Sequence, residues 1–235
     1  MITLPQLDRN TLWFPSVEEA LEEPNGLLAF GGDLRPERLL LAYDNAIFPW
    51  YQDDQPILWW SPDPRGVLFP EQIHISRSMR KVLAAADFVV SMDTAFLDVM
   101  RGCAEITMKR DGTWITPAMQ RAYYDLHLLG HAHSIEIWQN ERLVGGLYGV
   151  ARGAVFFGES MFSRVPNASK VALIRLSQQL QEWGFAMIDC QLGSDHLYTM
   201  GACTLRRTAF IQLLKQHAIR SLSINGKTWQ GAGIG

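Results

Sequence analysis

The chain has 235 residues, of which 48% are hydrophobic and 19% charged, and it carries a formal net charge of -3. That composition fits one large or two modest globular domains and excludes a disordered chain. The negative balance excludes a global basic field for nucleic acid, so any RNA contact must come from a local patch. Three cysteines, Cys103, Cys190 and Cys203, form neither a metal spacing nor an even disulfide set, which fits a reducing cytosol. The first residues lack a basic stretch followed by an apolar run, and no segment approaches the ~18 apolar residues of a membrane span. A cytoplasmic protein is expected.

Residues 1–70 are rich in Pro, Gly and Trp and are expected to form a small N-terminal α/β domain. Ser16-Val17-Glu18-Glu19 reads as a capping box, in which hydroxyl and carboxylate satisfy free amides reciprocally. A helix is expected after Asp33, carrying Leu39, Leu40 and Tyr43. Two irregular aromatic segments follow, Ile47-Phe48-Pro49-Trp50-Tyr51 and Leu58-Trp59-Trp60-Ser61-Pro62-Asp63-Pro64-Arg65, each broken by proline. Residues 67–69 read as a strand leading out of the region.

Residues 71–235 alternate between helix and strand patterns and are expected to form a second domain. Ser76 opens a helix, 88–92 is a strand, and Asp93 is placed as the cap of a helix reaching Cys103. Thr116-Pro117 is a strong helix start, with a capping hydroxyl followed by a residue that has no amide hydrogen to satisfy. That helix ends at Leu129, leaving Gly130 for the left-handed position. Strands at 133–138, 143–150 and 154–161 form a meander. A helix after Asn167 carries Leu173, Leu176, Leu180 and Trp183 as one stripe. It stops at Gly184, before a strand at 186–191. A last amphipathic helix is expected over 208–219.

Hairpin, helix, then a strand ending in an acid and an amide is the order in which GNAT-type acyltransferases build their donor half. The expected fold class is therefore α+β, with a mixed, mostly antiparallel sheet flanked by helices. The Gln/Arg-x-x-Gly-x-Gly/Ala loop that cradles the phosphates of coenzyme A is missing before the helix, which points to a different acyl carrier.

Asp189 and Gln191 lie two apart, so in a regular strand they share a face with Met187. They read either as a general base with a polar partner or as a strand-end carboxylate capping a turn. By the same alternation Glu159 shares a face with Phe157 and Met161. It reads as a binder of a cationic amine or as one half of an ion pair with Arg164 or Lys170, because a buried carboxylate needs a partner. Trp50, Trp59, Trp60 and Trp114 can stack nucleobases or pin loops to a core. Trp114 is the best stacking candidate because Lys109 and Arg110 are close in sequence. Arg206 and Arg207, with Arg77, Arg80 and Lys81, read as phosphate contacts or as solvated surface. His131, His133 and His196 do not make a metal set, and Ser160 lacks the second glycine of a nucleophile elbow.

Taken together, these segments resemble the leucyl/phenylalanyl-tRNA–protein transferase family. The motifs are Glu23-Pro24-Asn25-Gly26-Leu27-Leu28-Ala29, Gly31-Gly32-Asp33-Leu34, Ile47-Phe48-Pro49-Trp50, Trp59-Trp60-Ser61-Pro62-Asp63-Pro64-Arg65, Gly112-Thr113-Trp114-Ile115-Thr116, Gly158-Glu159-Ser160-Met161-Phe162-Ser163 and Ile188-Asp189-Cys190-Gln191. The resemblance spans about 14–210. It implies a small N-terminal domain followed by a GNAT-like domain. It also implies transfer of Leu or Phe, and less readily Met, from aminoacyl-tRNA to proteins beginning with Arg or Lys, marking them for degradation by the N-end rule.

Residue by residue, it implies that Trp50 and Trp114 hold the terminal adenosine, with Tyr43 and Tyr123 near that site. It implies that Leu147, Phe156, Met161, Leu173, Leu176 and Ile188 line the pocket for the amino-acid side chain. Asp189 and Gln191 match the catalytic pair, and Glu159 matches an acidic active-site residue. Three positions depart from the family pattern: Leu147 stands for Met, Leu176 for Phe, and Ser194 for an Asn that contacts substrate. No cofactor or metal is implied, and a monomer is expected. Two other readings share part of the pattern: a coenzyme A-dependent N-acyltransferase, and a non-catalytic module that binds aminoacyl-tRNA.

Overall fold

The computed structural model describes residues 4–105, 113–218 and Trp229. Four short strands build a first sheet: β1 (Gln6–Leu7), β2 (Leu27–Gly31), β3 (Phe48–Pro49) and β4 (Leu58–Trp60), in the order β1-β2-β4-β3. Helix α1 (Pro36–Asp44) follows β2. The capping box at Ser16 is present on a single 3-10 turn.

A second sheet of seven strands begins with β5 (Arg65–Leu68), the strand expected to lead out of the N-terminal region. It continues with β6 (Val89–Met92), β7 (Ala132–Gln139), β8 (Arg142–Arg152), β9 (Val155–Ser163), β10 (Met187–Gln191) and β11 (Cys203–Leu205). Their order is β11-β5-β10-β9-β8-β7-β6. Only β9 and β10 run parallel, so the sheet is mixed and mostly antiparallel. The five remaining helices of eight or more residues are α2 (Arg77–Ala84), α3 (Phe96–Ala104), α4 (Pro117–Leu128), α5 (Ala168–Glu182) and, after the one-turn α6 (Asp195–Thr199), α7 (Arg207–Ala218).

The sheet separates two apolar layers. One contains Phe96, Val99, Met119 and Tyr123 of α3 and α4, Phe210 of α7, and the aromatics of the N-terminal segment, including Tyr43 and Trp59. The other packs Met79 of α2 and Val171, Leu173, Leu176 and Leu180 of α5 against Ile135, Leu147, Phe156 and Ile188. At ~25 cal/mol per Å² of apolar burial, these layers supply most of the drive to fold.

The local signals hold at the helix starts: Ser76 and Thr116 each accept a backbone N–H three residues on, as caps do. Gly130 (φ +77) and Gly184 (φ +78) take the left-handed turns that end α4 and α5. Asp93 does not cap α3, whose start at Ala95 has no side-chain cap. Its carboxylate turns to β7 instead, accepting from the Ser134 amide at 2.8 Å and meeting His133 Nδ1 at 2.8 Å. A buried imidazole and a strand amide outbid the free amides of a solvated helix start. Lys109 and Arg110, and the expected helix end at 219, lie outside the described residues.

Candidate active site

Two β-bulges shape the site. In β9, Tyr148 pairs with Ser160 and Gly149 with Gly158, which leaves Glu159 as an extra residue. In β10, Asp189 pairs with Val67 and Gln191 with Gly66, which leaves Cys190 over. The parallel pairing of β9 with β10 stops at Phe157 and Asp189. Beyond that point the two strands part, and the cleft between them is lined by the residues that follow. Bulges bend a strand and raise its twist, so the opening is a product of the backbone.

The bulge at Glu159 reverses the alternation expected from sequence. Phe157 packs into the layer of α3 and α4, whereas Met161 packs against the opposite layer, so Glu159 shares no face with the pair. Gly149 faces this bulge. A Cβ there would lie 2.2 Å from the Phe157 carbonyl and 2.5 Å from the Phe156 ring, so only glycine admits this close approach of β9.

A cavity of about 220 Å³ lies on the α5 side of the sheet. Leu147, Phe156, Met161, Leu173, Leu176, Ile188 and Leu197 all line it. A cavity of ~150 Å³ holds benzene, so this one has room for a single large aliphatic or aromatic side chain. Tyr148 joins the wall with a fully buried hydroxyl that has no hydrogen-bond partner among the described residues. A second cavity of about 220 Å³ is lined by Phe48, Pro49, Trp50, Trp114 and Leu192. Glu159, Cys190 and Gln191 line both, so the cavities meet there.

Glu159 stands at that junction. Its carboxylate accepts from the hydroxyls of Tyr43 (2.8 Å) and Tyr123 (3.0 Å), and the Gln191 side-chain amide lies 3.5 Å away. The two tyrosine hydroxyls also touch each other. Burial pushes the Glu159 carboxyl up to about 7, with the phenols and the Arg65 guanidinium opposing and the charge of Asp189 adding to the rise. Neither expected cation reaches it: Arg164 pairs with Glu105 at 2.9 Å, and Lys170 is in no ion pair among the described residues. Tyr43 and Tyr123 have no accessible surface. They stand beneath Glu159 and line neither cavity.

Asp189 has the opposite environment. It has no accessible surface and forms a two-pronged ion pair with Arg65, whose Nε and Nη2 donate to its oxygens at 2.8 and 2.6 Å. The Gln191 amide donates to the same carboxylate at 2.9 Å. Gln191 takes φ +54 in this turn, so it does not continue the face of Met187 and Asp189. The strand-end acid therefore caps the turn, and the Gln191 side chain beside it reaches the cleft. Arg65 is itself buried, donates to the Ala46 carbonyl at 3.1 Å and lies 4.9 Å from the rings of Phe48 and Phe210. Cys190 is held as a thiol by burial and by the neighbouring Asp189 charge, which excludes it as a thiolate nucleophile.

The remaining candidates scatter. Ser194 caps α6, accepting from the Leu197 amide at 3.3 Å. Arg206 is exposed, while Arg207 is tied inward to the Ser61 carbonyl at 2.7 Å and through its amide to Asp63 at 3.0 Å. Arg77, Arg80 and Lys81 are exposed on α2. His133 sits on Asp93 and stacks on Trp229 at 3.8 Å. Arg65 was missed as a site residue, although its motif was noted. Only its partner 124 positions away reveals its role.

A family model described as leucyl/phenylalanyl-tRNA protein transferase matches residues 67–215, and the model of that family's N-terminal domain matches 32–63. A leucyl/phenylalanyl-tRNA–protein transferase of Stutzerimonas stutzeri is 57% identical over 217 residues, which are 92% of this chain and 96% of that protein. That of Azotobacter vinelandii is 56% identical over 211 residues, 90% and 93% of the two chains. Among solved structures, a GCN5-related N-acetyltransferase from Kribbella flavida is 12% identical with a TM-score of 0.37, over 72% of this chain and 60% of that one. L-PGS from Bacillus licheniformis is 12% identical with a TM-score of 0.41, over 71% and 53%.

Proposed function

We propose that this chain, which belongs to the leucyl/phenylalanyl-tRNA–protein transferase family, moves Leu or Phe, and less readily Met, from aminoacyl-tRNA to the α-amine of polypeptides that begin with Arg or Lys. The product would be marked for N-end-rule degradation. The observation that carries this reading is the position of Glu159, a carboxylate with a near-neutral pKa where an apolar cavity meets one walled by indoles.

The donor's side chain fills the cavity of Leu147, Phe156, Met161, Leu173, Leu176 and Ile188. Its terminal adenosine lies against Trp50 and Trp114, where stacking is worth ~1–3 kcal/mol per base. The ester carbonyl then falls between the cavities. The acceptor α-amine, with a reference pKa of ~7.7–8.0, must lose a proton to attack. That first proton goes to solvent, and Glu159, about half ionised at neutral pH and basic enough to accept, takes a second from the nitrogen as it attacks. The new C–N bond forms, the bond to the ribose 3′-oxygen breaks, and the proton passes from Glu159 to that leaving oxygen. The ester is already activated, so the reaction needs no further energy source.

Gln191 orients the amine or the carbonyl oxygen. Asp189, whose oxygens are occupied by Arg65 and the Gln191 amide, acts as a positioning residue: it fixes the left-handed turn that delivers Gln191. Tyr43 and Tyr123 position Glu159. Arg206, Arg80 and Lys81 are free to meet tRNA phosphates, and Arg207 chiefly holds residues 61–63. The test is incubation with labelled Leu-tRNA and peptides differing only in the first residue. Label is expected on peptides beginning with Arg or Lys and not on those beginning with Asp or Gly. Equal labelling of all four would refute the acceptor assignment.

A further inference from the structure

Asp189 is buried against Arg65, and Glu159 is engaged by two phenols, so neither is placed to pair with a long cationic side chain. The charge that selects Arg or Lys must come from elsewhere. Trp50 and Trp114 also wall a larger groove of about 970 Å³, together with Trp60 and Leu58. Trp50 is 42% exposed. It meets Trp60 edge-on at 5.6 Å, and its carbonyl accepts from the Trp60 indole N–H at 2.7 Å, so the two rings are fixed relative to each other. Asp53 and Asp54 stand on the wall, on a turn closed by the Gln55 amide donating to the Gln52 carbonyl at 2.9 Å. No Lys or Arg lines the groove among the described residues. Neither carboxylate joins a salt bridge among the described residues.

Indole faces and unpaired carboxylates attract a cation twice over, by ring quadrupole and by charge. The same lining repels phosphate, so the groove is unsuited to the tRNA backbone. It is continuous with the cleft, because Trp50 and Trp114 wall both. We infer that this groove seats the cationic first side chain of the acceptor polypeptide, between the indoles and Asp53 with Asp54, and so brings its α-amine to the Glu159 end of the cleft. This rests on the transferase reading above, and it adds the determinant of acceptor choice.

The test pairs two measurements on the full chain. A short peptide beginning with Arg is titrated without tRNA, read by tryptophan fluorescence, in wild type and in the double variant Asp53→Asn, Asp54→Asn. Binding is expected to weaken about tenfold in the variant, two partly exposed charge contacts being lost. In transfer assays the same variant should raise the KM for that peptide by a like factor, leaving kcat and the KM for Leu-tRNA near wild type. The charge reversal Asp53→Lys, Asp54→Lys should weaken the peptide further. Equal peptide binding by wild type and the Asn variant would overturn the proposal, as would a change confined to the KM for Leu-tRNA. A wild type that binds the peptide through these aspartates but transfers nothing would refute the transferase reading and leave the groove standing.

Discussion

Two acidic residues on adjacent strands, one before and one within a bulge, have opposite surroundings. Asp189 meets a guanidinium on both oxygens and no solvent. Glu159 meets two neutral phenols and an amide at the mouth of a cavity. The first arrangement holds a charge in place, and the second leaves a proton close to balance near pH 7. The comparison teaches that a carboxylate's role is set by what faces it: in the reaction proposed above, Asp189 serves as a brace while Glu159 handles the proton.

The sharpest way to break this comparison is Glu159→Gln. If Glu159 carries the proton, kcat should fall about 10²- to 10⁴-fold, the usual worth of a general base. Wild-type kcat should rise with pH through about 7 and level off above it, and this limb should vanish in the variant. A variant that keeps the wild-type limb would move the role elsewhere. Next in size is the brace. Arg65→Met leaves Asp189 buried without its cation and should cost ~3–5 kcal/mol of stability. Pairing it with Asp189→Leu should recover much of the stability but little activity, because Gln191 loses its anchor. Urea unfolding and a transfer assay separate the two readouts.

The same contrast predicts a pH effect on stability. The folded pKa of Glu159 is raised, so between about 4.5 and 7 the native state holds more protons than the unfolded chain. Stability from this group is therefore greatest below 4.5 and is lost as pH rises to 7. Glu159→Gln should be more stable than wild type at pH 8, by a few kcal/mol at most, and that gain should shrink toward pH 5. A constant difference across that range, seen in thermal melts, would contradict the assigned pKa. A smaller effect is expected in the donor cavity. Leu176→Phe removes volume and should shift the ratio of Phe-tRNA to Leu-tRNA transfer toward Leu by ~1–3 kcal/mol of discrimination. Ile-tRNA and Val-tRNA are expected to be poor donors of either protein, because their second Cβ substituent widens the side chain next to the reacting carbonyl. Smallest of all, Arg206→Ala should lower the salt slope of tRNA binding by about 1.

Most secondary structure was legible because its signals are local. The Thr116-Pro117 start, the Gly184 stop and the Leu173, Leu176, Leu180 stripe each depend on a few neighbouring residues. The residues that the resemblance assigns to one pocket are gathered by the fold around the apolar cavity. The bulges were illegible. An extra residue in β9 or β10 exists only relative to its partner strand, and a single misplaced residue turns every later side chain to the other face. Hence alternation alone joins Met161 to the face of Phe157 and Gln191 to that of Asp189, and the bulges undo both. Nor can sequence show that the hydroxyls of Tyr43 and Tyr123 converge on an acid far along the chain. Arg65 escaped for the same reason.

The Tyr43–Glu159–Tyr123 junction also has a bearing on the life of the chain. Its members come from α1, α4 and β9, with 116 positions between the first and the last. A substitution that loosens α1 or α4 acts on Glu159 without touching it: losing either hydroxyl takes away a donor that opposes the rise in its pKa, so the acid is protonated more often at a given pH. Three segments far apart in the chain are thereby bound to change together.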